Sequence, residues 1–149
     1  MTLGEFLVKA KVHTYASVGE SGEQVFDNGG RELIFEDGGF RYRDIYFGFN
    51  PFVGEEIVWQ GEKPIWGMNY YGQVLSNLIP PKDIYGFLKK ALRKVTEEKP
   101  FRGPILFQEG GFEYKCKNEG DIARFVGLEE ILYKGEEVYI LNYHGGLIA

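Results

Sequence analysis

Two short phrases hold the side chains best suited to chemistry: Asn69-Tyr70-Tyr71-Gly72 and Asn142-Tyr143-His144-Gly145. His144 is the ionisable group near neutrality in this pair of phrases and so the candidate general base. As the counterpart of Tyr71, however, it reads more readily as a packing residue. Glu56 and Glu130 take matching places on the strands just before, where a carboxylate among aromatics can hold a cationic or amine-bearing ligand, since ring faces also attract cations. Trp59 and Tyr133 are aromatics of the same two strands. The candidate ligand-binding set is therefore Glu56, Trp59, Asn69, Tyr71, Glu130, Tyr133, Asn142 and His144, and no residue is assigned a catalytic role.

Other chemistries find little footing. His13 and His144 are far apart and Cys116 is the one cysteine, so no metal-ligand spacing exists and no metal or cofactor is expected. There is no P-loop, no G-x-G-x-x-G opening a helix and no G-x-S-x-G elbow. The acidic pairs Glu55-Glu56, Glu129-Glu130 and Glu136-Glu137 sit on strands, where neighbours point to opposite faces, so at most one of each pair can face a cleft. Arg41, Arg43 and Asp44 in "RYRD" are expected to make cross-strand pairs rather than to bind a ligand.

The elements that must position these residues occur twice. "FEDGGFRYR" (35–43) recurs as "FQEGGFEYK" (107–115), and "FVGEEIVWQGE" (52–62) matches "FVGLEEILYKGE" (125–136) once Leu128 is treated as an insertion. "IWGMNYYG" then lies over "VYILNYHG". Leu3, Phe6, Leu7 and Ala10 share their spacing with Ile84, Phe87, Leu88 and Ala91, an i, i+3, i+4, i+7 stripe that predicts an amphipathic helix at the start of each half.

Thr2 with Glu5 forms a capping-box pattern, Pro80-Pro81 and Lys82-Asp83 lead into the second helix, and Lys99-Pro100 marks its stop. Gly38-Gly39 and Gly110-Gly111 are two-residue hairpin signals, while 60–64 and 134–137 read as slightly longer turns. The connection from Val18 to Gly30 reads as an exposed loop with a short hairpin around Val25-Phe26, the alternative being a flap over a pocket.

The expected fold is thus α+β: two α-β-β-β-β repeats, about 1–79 and 80–149, related by a pseudo-two-fold axis within one domain, with antiparallel sheet and both helices on one side. Trp66, Met68 and Tyr70, with Tyr139, Leu141 and Tyr143, form the core face under the helices. Asn69, Tyr71, Asn142 and His144 fall on the opposite face, where Gly67 leaves open space beside Asn69.

Bulk properties agree with a globular domain. A chain of 149 residues buries roughly 70% of its unfolded surface. The 12 Phe, 10 Tyr and 2 Trp favour pleated sheet. A net charge of −5 lacks the basic stripe that nucleic acid requires. The unpaired cysteine, the lack of a signal-peptide pattern and the lack of an apolar run of ~20 residues lead to the expectation of a cytoplasmic protein without membrane contact.

The run "FRYRDIYFGFNPFVGEEIVWQGEKPIWGMNYYG", with "FRGP" and the terminal "YHGGLI", resembles an uncharacterised family of bacterial and archaeal proteins, domain of unknown function 5680. The likeness spans almost the whole chain and brings no known chemistry. Members are sometimes joined to a helix-turn-helix module, which implies effector sensing or dimerisation. The present chain begins directly with the first α-β-β-β-β unit, so DNA binding is not carried over.

The function expected is binding of an unidentified small molecule in an aromatic cleft at the repeat interface, in a regulatory or sensor role. One rival is a hydrolase-type enzyme using His144 with Glu56 or Glu130. Another is a self-association or protein-interaction module, with a homodimer as the partner state.

Overall fold

The computed structural model describes residues 1–14 and 23–149. Helix α1 spans Leu3–His13 and α2 spans Pro81–Leu92. The strands are β1 (Gln24–Val25), β2 (Gly30–Asp37), β3 (Phe40–Gly48), β4 (Phe52–Gln60), β5 (Lys63–Val74), β6 (Leu106–Glu109), β7 (Phe112–Asp121), β8 (Arg124–Tyr133) and β9 (Glu136–Leu147). All nine join one antiparallel sheet in the order β1-β2-β3-β4-β5-β9-β8-β7-β6. The architecture is α+β.

Local chemistry explains most of the boundaries. Thr2 Oγ1 accepts the Glu5 N–H at 3.2 Å, and Glu5 Oε2 accepts the Thr2 N–H at 2.7 Å, which closes the capping box at α1. Helix α2 starts on Pro81 itself, whose fixed φ suits the first helical position. It stops at Leu92, well before Lys99-Pro100, because the next amides bond three residues back, Lys94 N–H to Ala91 O and Val95 N–H to Leu92 O.

Gly38 and Gly39 both take positive φ, 58° and 83°, so the β2–β3 hairpin closes in two residues with Asp37 opposite Phe40. The turns expected to be longer also close in two residues, at 61–62 and 134–135. A bulge opposite Val58 and Trp59, and another opposite Ile131 and Leu132, take up one extra residue each, Ile65 in β5 and Val138 in β9. Strand β1 pairs with β2 through Gln24 and Val25, a two-residue strand the sequence hinted at one position later. The part of the 18–30 connection from Val18 to Gly22 lies outside the described residues.

Alternation divides the sheet into two faces. Trp66, Met68, Tyr70, Tyr139, Leu141 and Tyr143 are all buried, whereas Asn69, Tyr71, Asn142 and His144 are exposed. Phe6 of α1 stacks on Phe40 at 5.1 Å, and Phe87 of α2 stacks on Phe112 at 5.0 Å. Phe40 and Phe112 belong to the same face as the buried tyrosines, so both helices cover that side and one continuous core lies beneath them. Between the helices, the loop residues Phe101 and Arg102 press onto the sheet, with the Phe101 ring 4.2 Å from that of Phe125. Among the described residues no helix is long and apolar enough to cross a membrane.

Candidate functional site

Charged groups enter this covered face from several elements. Asp44 on β3 and Glu56 on β4 stand directly opposite each other, and both are buried. Lys11, on the buried side of α1, donates from Nζ to Glu56 Oε1 at 2.6 Å and to the Phe101 carbonyl at 2.6 Å. Glu56 Oε2 is buried and has no hydrogen-bond partner among the described residues.

Tyr70 reaches Asp44 across an intervening strand. Its ring lies over Gly54 of β4, where an added Cβ would meet the phenol oxygen at 2.2 Å. The missing side chain lets the Tyr70 hydroxyl donate to Asp44 Oδ1 at 2.6 Å. Tyr143 does likewise over Gly127 of β8, where its ring would meet a Cβ at 1.9 Å, and its hydroxyl stands 3.2 Å from Cys116 Sγ.

A second buried carboxylate is fully engaged. Arg102 forks onto Glu129 at 3.0 and 2.9 Å, and Glu129 also accepts from Tyr114 at 2.5 Å and Tyr139 at 2.8 Å. Burial and this carboxylate hold both tyrosine hydroxyls well above the ordinary phenol range, so they stay protonated donors. The Cys116 thiol is pushed up by burial and by Glu129, which keeps it from acting as a thiolate.

Asp44 differs from Glu129 because it faces a hollow. Burial, followed by the charge of Glu56, lifts its carboxyl from 3.8 to about 7. Burial lowers the Lys11 ammonium against the opposing pull of Glu56. The hollow is a cavity of about 520 Å³ between α2 and strands β2–β5, with Asp44, Tyr70 and Arg102 on its floor. Tyr46, Phe49, Phe52 and Tyr85 wall it, and Glu23, Arg31, Lys82 and Lys89 stand around it.

Several contacts stiffen these walls. Tyr85 donates to the Phe49 carbonyl at 2.5 Å and meets the Phe49 ring edge-on at 5.1 Å. Arg31 pairs with Glu23 at 3.2 Å, and Glu23 also accepts the Tyr46 hydroxyl. A larger hollow, about 680 Å³, lies between the hairpin turns at 38–39 and 61–62, but glycine backbone and Glu36, Asp37 and Glu62 dominate its lining. It offers neither an aromatic wall nor a fixed polar floor.

None of the eight residues singled out from the sequence lines the 520 Å³ cavity. Asn69, Tyr71, Asn142 and His144 do come together, as the direct pairs Asn69–His144 and Tyr71–Asn142 across the β5–β9 seam, but on the uncovered face. Gly67 leaves no open space there, since an added Cβ would meet Ile57 Cδ1 at 2.9 Å and Ile148 Cδ1 at 3.3 Å. Trp59 sits under Arg41 at 4.4 Å, and Tyr133 packs on Phe112 at 4.7 Å.

The register of β8 corrects the pairing of the carboxylates. Gly127 faces Tyr143 as Gly54 faces Tyr70, so Glu129, not Glu130, occupies the inward position that Glu56 holds. The extra residue enters earlier, where residues 121–124 link Gly120 to Phe125 while only 49–51 link Gly48 to Phe52, and a one-residue slip at Leu128 sends a side chain to the other face. His144 therefore lies across the sheet from Glu56. It also lies four residues along β9 from Ile140, the partner of Glu130, roughly 13 Å away at strand rise. Neither pair can share a proton.

Sequence reasoning passed over Asp44, Lys11 and Arg102. Arg43 does make a cross-strand pair, with Glu32 at 2.6 Å, but Asp44 turns inward in the alternation Phe40, Tyr42, Asp44. Lys11 was visible as a cation four residues after Leu7 on the apolar stripe. Among the described residues no group of three or more His, Cys, Asp and Glu side chains could hold a metal ion. Residues 44–148 match the family described as domain of unknown function (DUF5680). No curated protein and no solved structure matches the chain.

Proposed function

The chain belongs to the DUF5680 family, and from that premise we propose that it is a small-molecule-binding domain whose ligand occupies the cavity beneath α2. One observation carries the reading: an aromatic-walled hollow of about 520 Å³ whose floor presents a buried carboxyl, a phenol and a guanidinium. Ligand sites are typically such largely apolar concavities with a few fixed polar groups. The role we assign to binding is sensory or regulatory.

We also read the chain as an internal duplication. Supporting this are the strand order mirrored about the β5–β9 pair, the matched Phe6–Phe40 and Phe87–Phe112 stacks, and the two tyrosines crossing glycines. On this reading the units have diverged in use. Asp44 and Lys11 in the first correspond to Cys116 and Leu92 in the second, so the first unit keeps charge beside a cavity roofed by the second unit's helix.

Gly86 makes the reading testable, because it faces the cavity from α2 and an added Cβ there meets nothing within 4 Å. Gly86→Leu should stabilise the helix by about 0.5–1 kcal/mol while filling the hollow. The neutral fluorophore N-phenyl-1-naphthylamine should bind the wild type at one site and the variant at least about tenfold more weakly. Equal binding by both proteins would remove the cavity as the site.

A second reading, proton transfer by Asp44, is favoured by its carboxyl titrating at about 7, where a base can both take and return a proton. A native ligand recovered unaltered after long incubation would count against it.

A further inference from the structure

The cations around the cavity fall into two classes. Arg31 is committed to Glu23 and Arg102 to Glu129. Lys82 and Lys89 have no ion-pair partner among the described residues, and they stand seven positions apart on α2, two turns along the face that also carries Tyr85. Both line the cavity along with the aromatic wall, and the polar floor is already occupied by the Tyr70–Asp44 and Arg102–Glu129 hydrogen bonds.

We propose, resting on the binding reading above, that the cavity takes an amphipathic anion: an apolar or aromatic body set between Phe49, Phe52 and Tyr85, with one anionic group met by Lys82 and Lys89. Two cations with no ion-pair partner among the described residues, both lining an aromatic-walled hollow, would leave a cationic ligand unfavoured there, whereas an anion gains charge-assisted bonds at its exposed end. The sequence had suggested the reverse, a cation held by Glu56. That carboxylate already faces Lys11 and does not line the cavity.

The test displaces N-phenyl-1-naphthylamine with four naphthalene probes that share one ring system: 1-naphthoate, 1-naphthyl phosphate, 1-naphthalenemethanol and 1-naphthylmethylammonium. Both anions should displace at least about tenfold more tightly than the alcohol, and the ammonium should be weakest. The tighter anion assigns the ligand's group as carboxylate or phosphate. In the double variant Lys82→Ala/Lys89→Ala, the preference for anions should vanish while displacement by the alcohol is retained. An alcohol or ammonium that competes as well as the anions would overturn the proposal, as would a preference that survives in the double variant. Failure of N-phenyl-1-naphthylamine to bind the wild type at all would instead strike the cavity reading on which the proposal rests.

Discussion

Asp44 carries the sharpest residue-level consequence. Folded, it holds its proton up to about pH 7; unfolded, only to its ordinary 3.8. The folded state therefore binds the extra proton between those values, and stability falls as pH rises through this window, by about 1.4 kcal/mol for each unit crossed. Glu56, Lys11, Arg102 and Tyr70 are the groups whose charges or hydrogen bonds set this value. Asp44→Asn should raise the melting temperature most at pH 8, less at pH 5 and little near pH 4, flattening the slope between. A slope unchanged in the variant would contradict the assignment. Lys11→Ala should cost about 3–5 kcal/mol by stranding Glu56 in the core, and Lys11→Met with Glu56→Leu should recover most of that in urea denaturation. These residues were hard to find because a buried charge declares itself through partners distant in sequence: Lys11 meets Glu56 45 positions away and Phe101 90 positions away.

At the scale of elements, much was legible. The glycine pairs fixed the hairpins, the apolar stripes fixed both helices, and alternation assigned the inner faces of β5 and β9. What failed was the placing of one inserted residue. Aligning letters located the insertion at Leu128, whereas hydrogen-bond register moves it to the connection between β7 and β8, ahead of Phe125, which exchanges Glu129 for Glu130 as the inward carboxylate. The crossing of Tyr70 over Gly54 gives a prediction at this level. Gly54→Ala should cost about 1–3 kcal/mol by pushing the ring off its seat, and should weaken N-phenyl-1-naphthylamine binding because Tyr70 floors the cavity. Gly127→Ala should cost a similar amount in chemical denaturation and leave binding intact, since Tyr143 is not part of the lining. Equal binding losses in both variants would argue for global loosening instead.

Across the whole molecule, the halves of the chain are tied together at the core. Trp66 stacks on Phe125 at 5.7 Å, Lys11 of α1 binds the Phe101 carbonyl, and β5 pairs with β9 along nine residues from each strand. Denaturation should therefore be a single transition, coincident by far- and near-ultraviolet circular dichroism, and two separated transitions would show the halves folding independently. The sequence anticipated the layer order but not the hollow, because the cavity arises where a helix from one half roofs strands from the other, a relation no local pattern encodes. The central claim, that function lies on the helix side of the sheet, is tested most directly by 1H–15N correlation spectra during titration with 1-naphthoate. The account predicts shifts at Asp44, Tyr46, Phe52 and Tyr70 and along α2 from Lys82 to Lys89. Shifts centred on Asn69, Tyr71, Asn142 and His144 would contradict it.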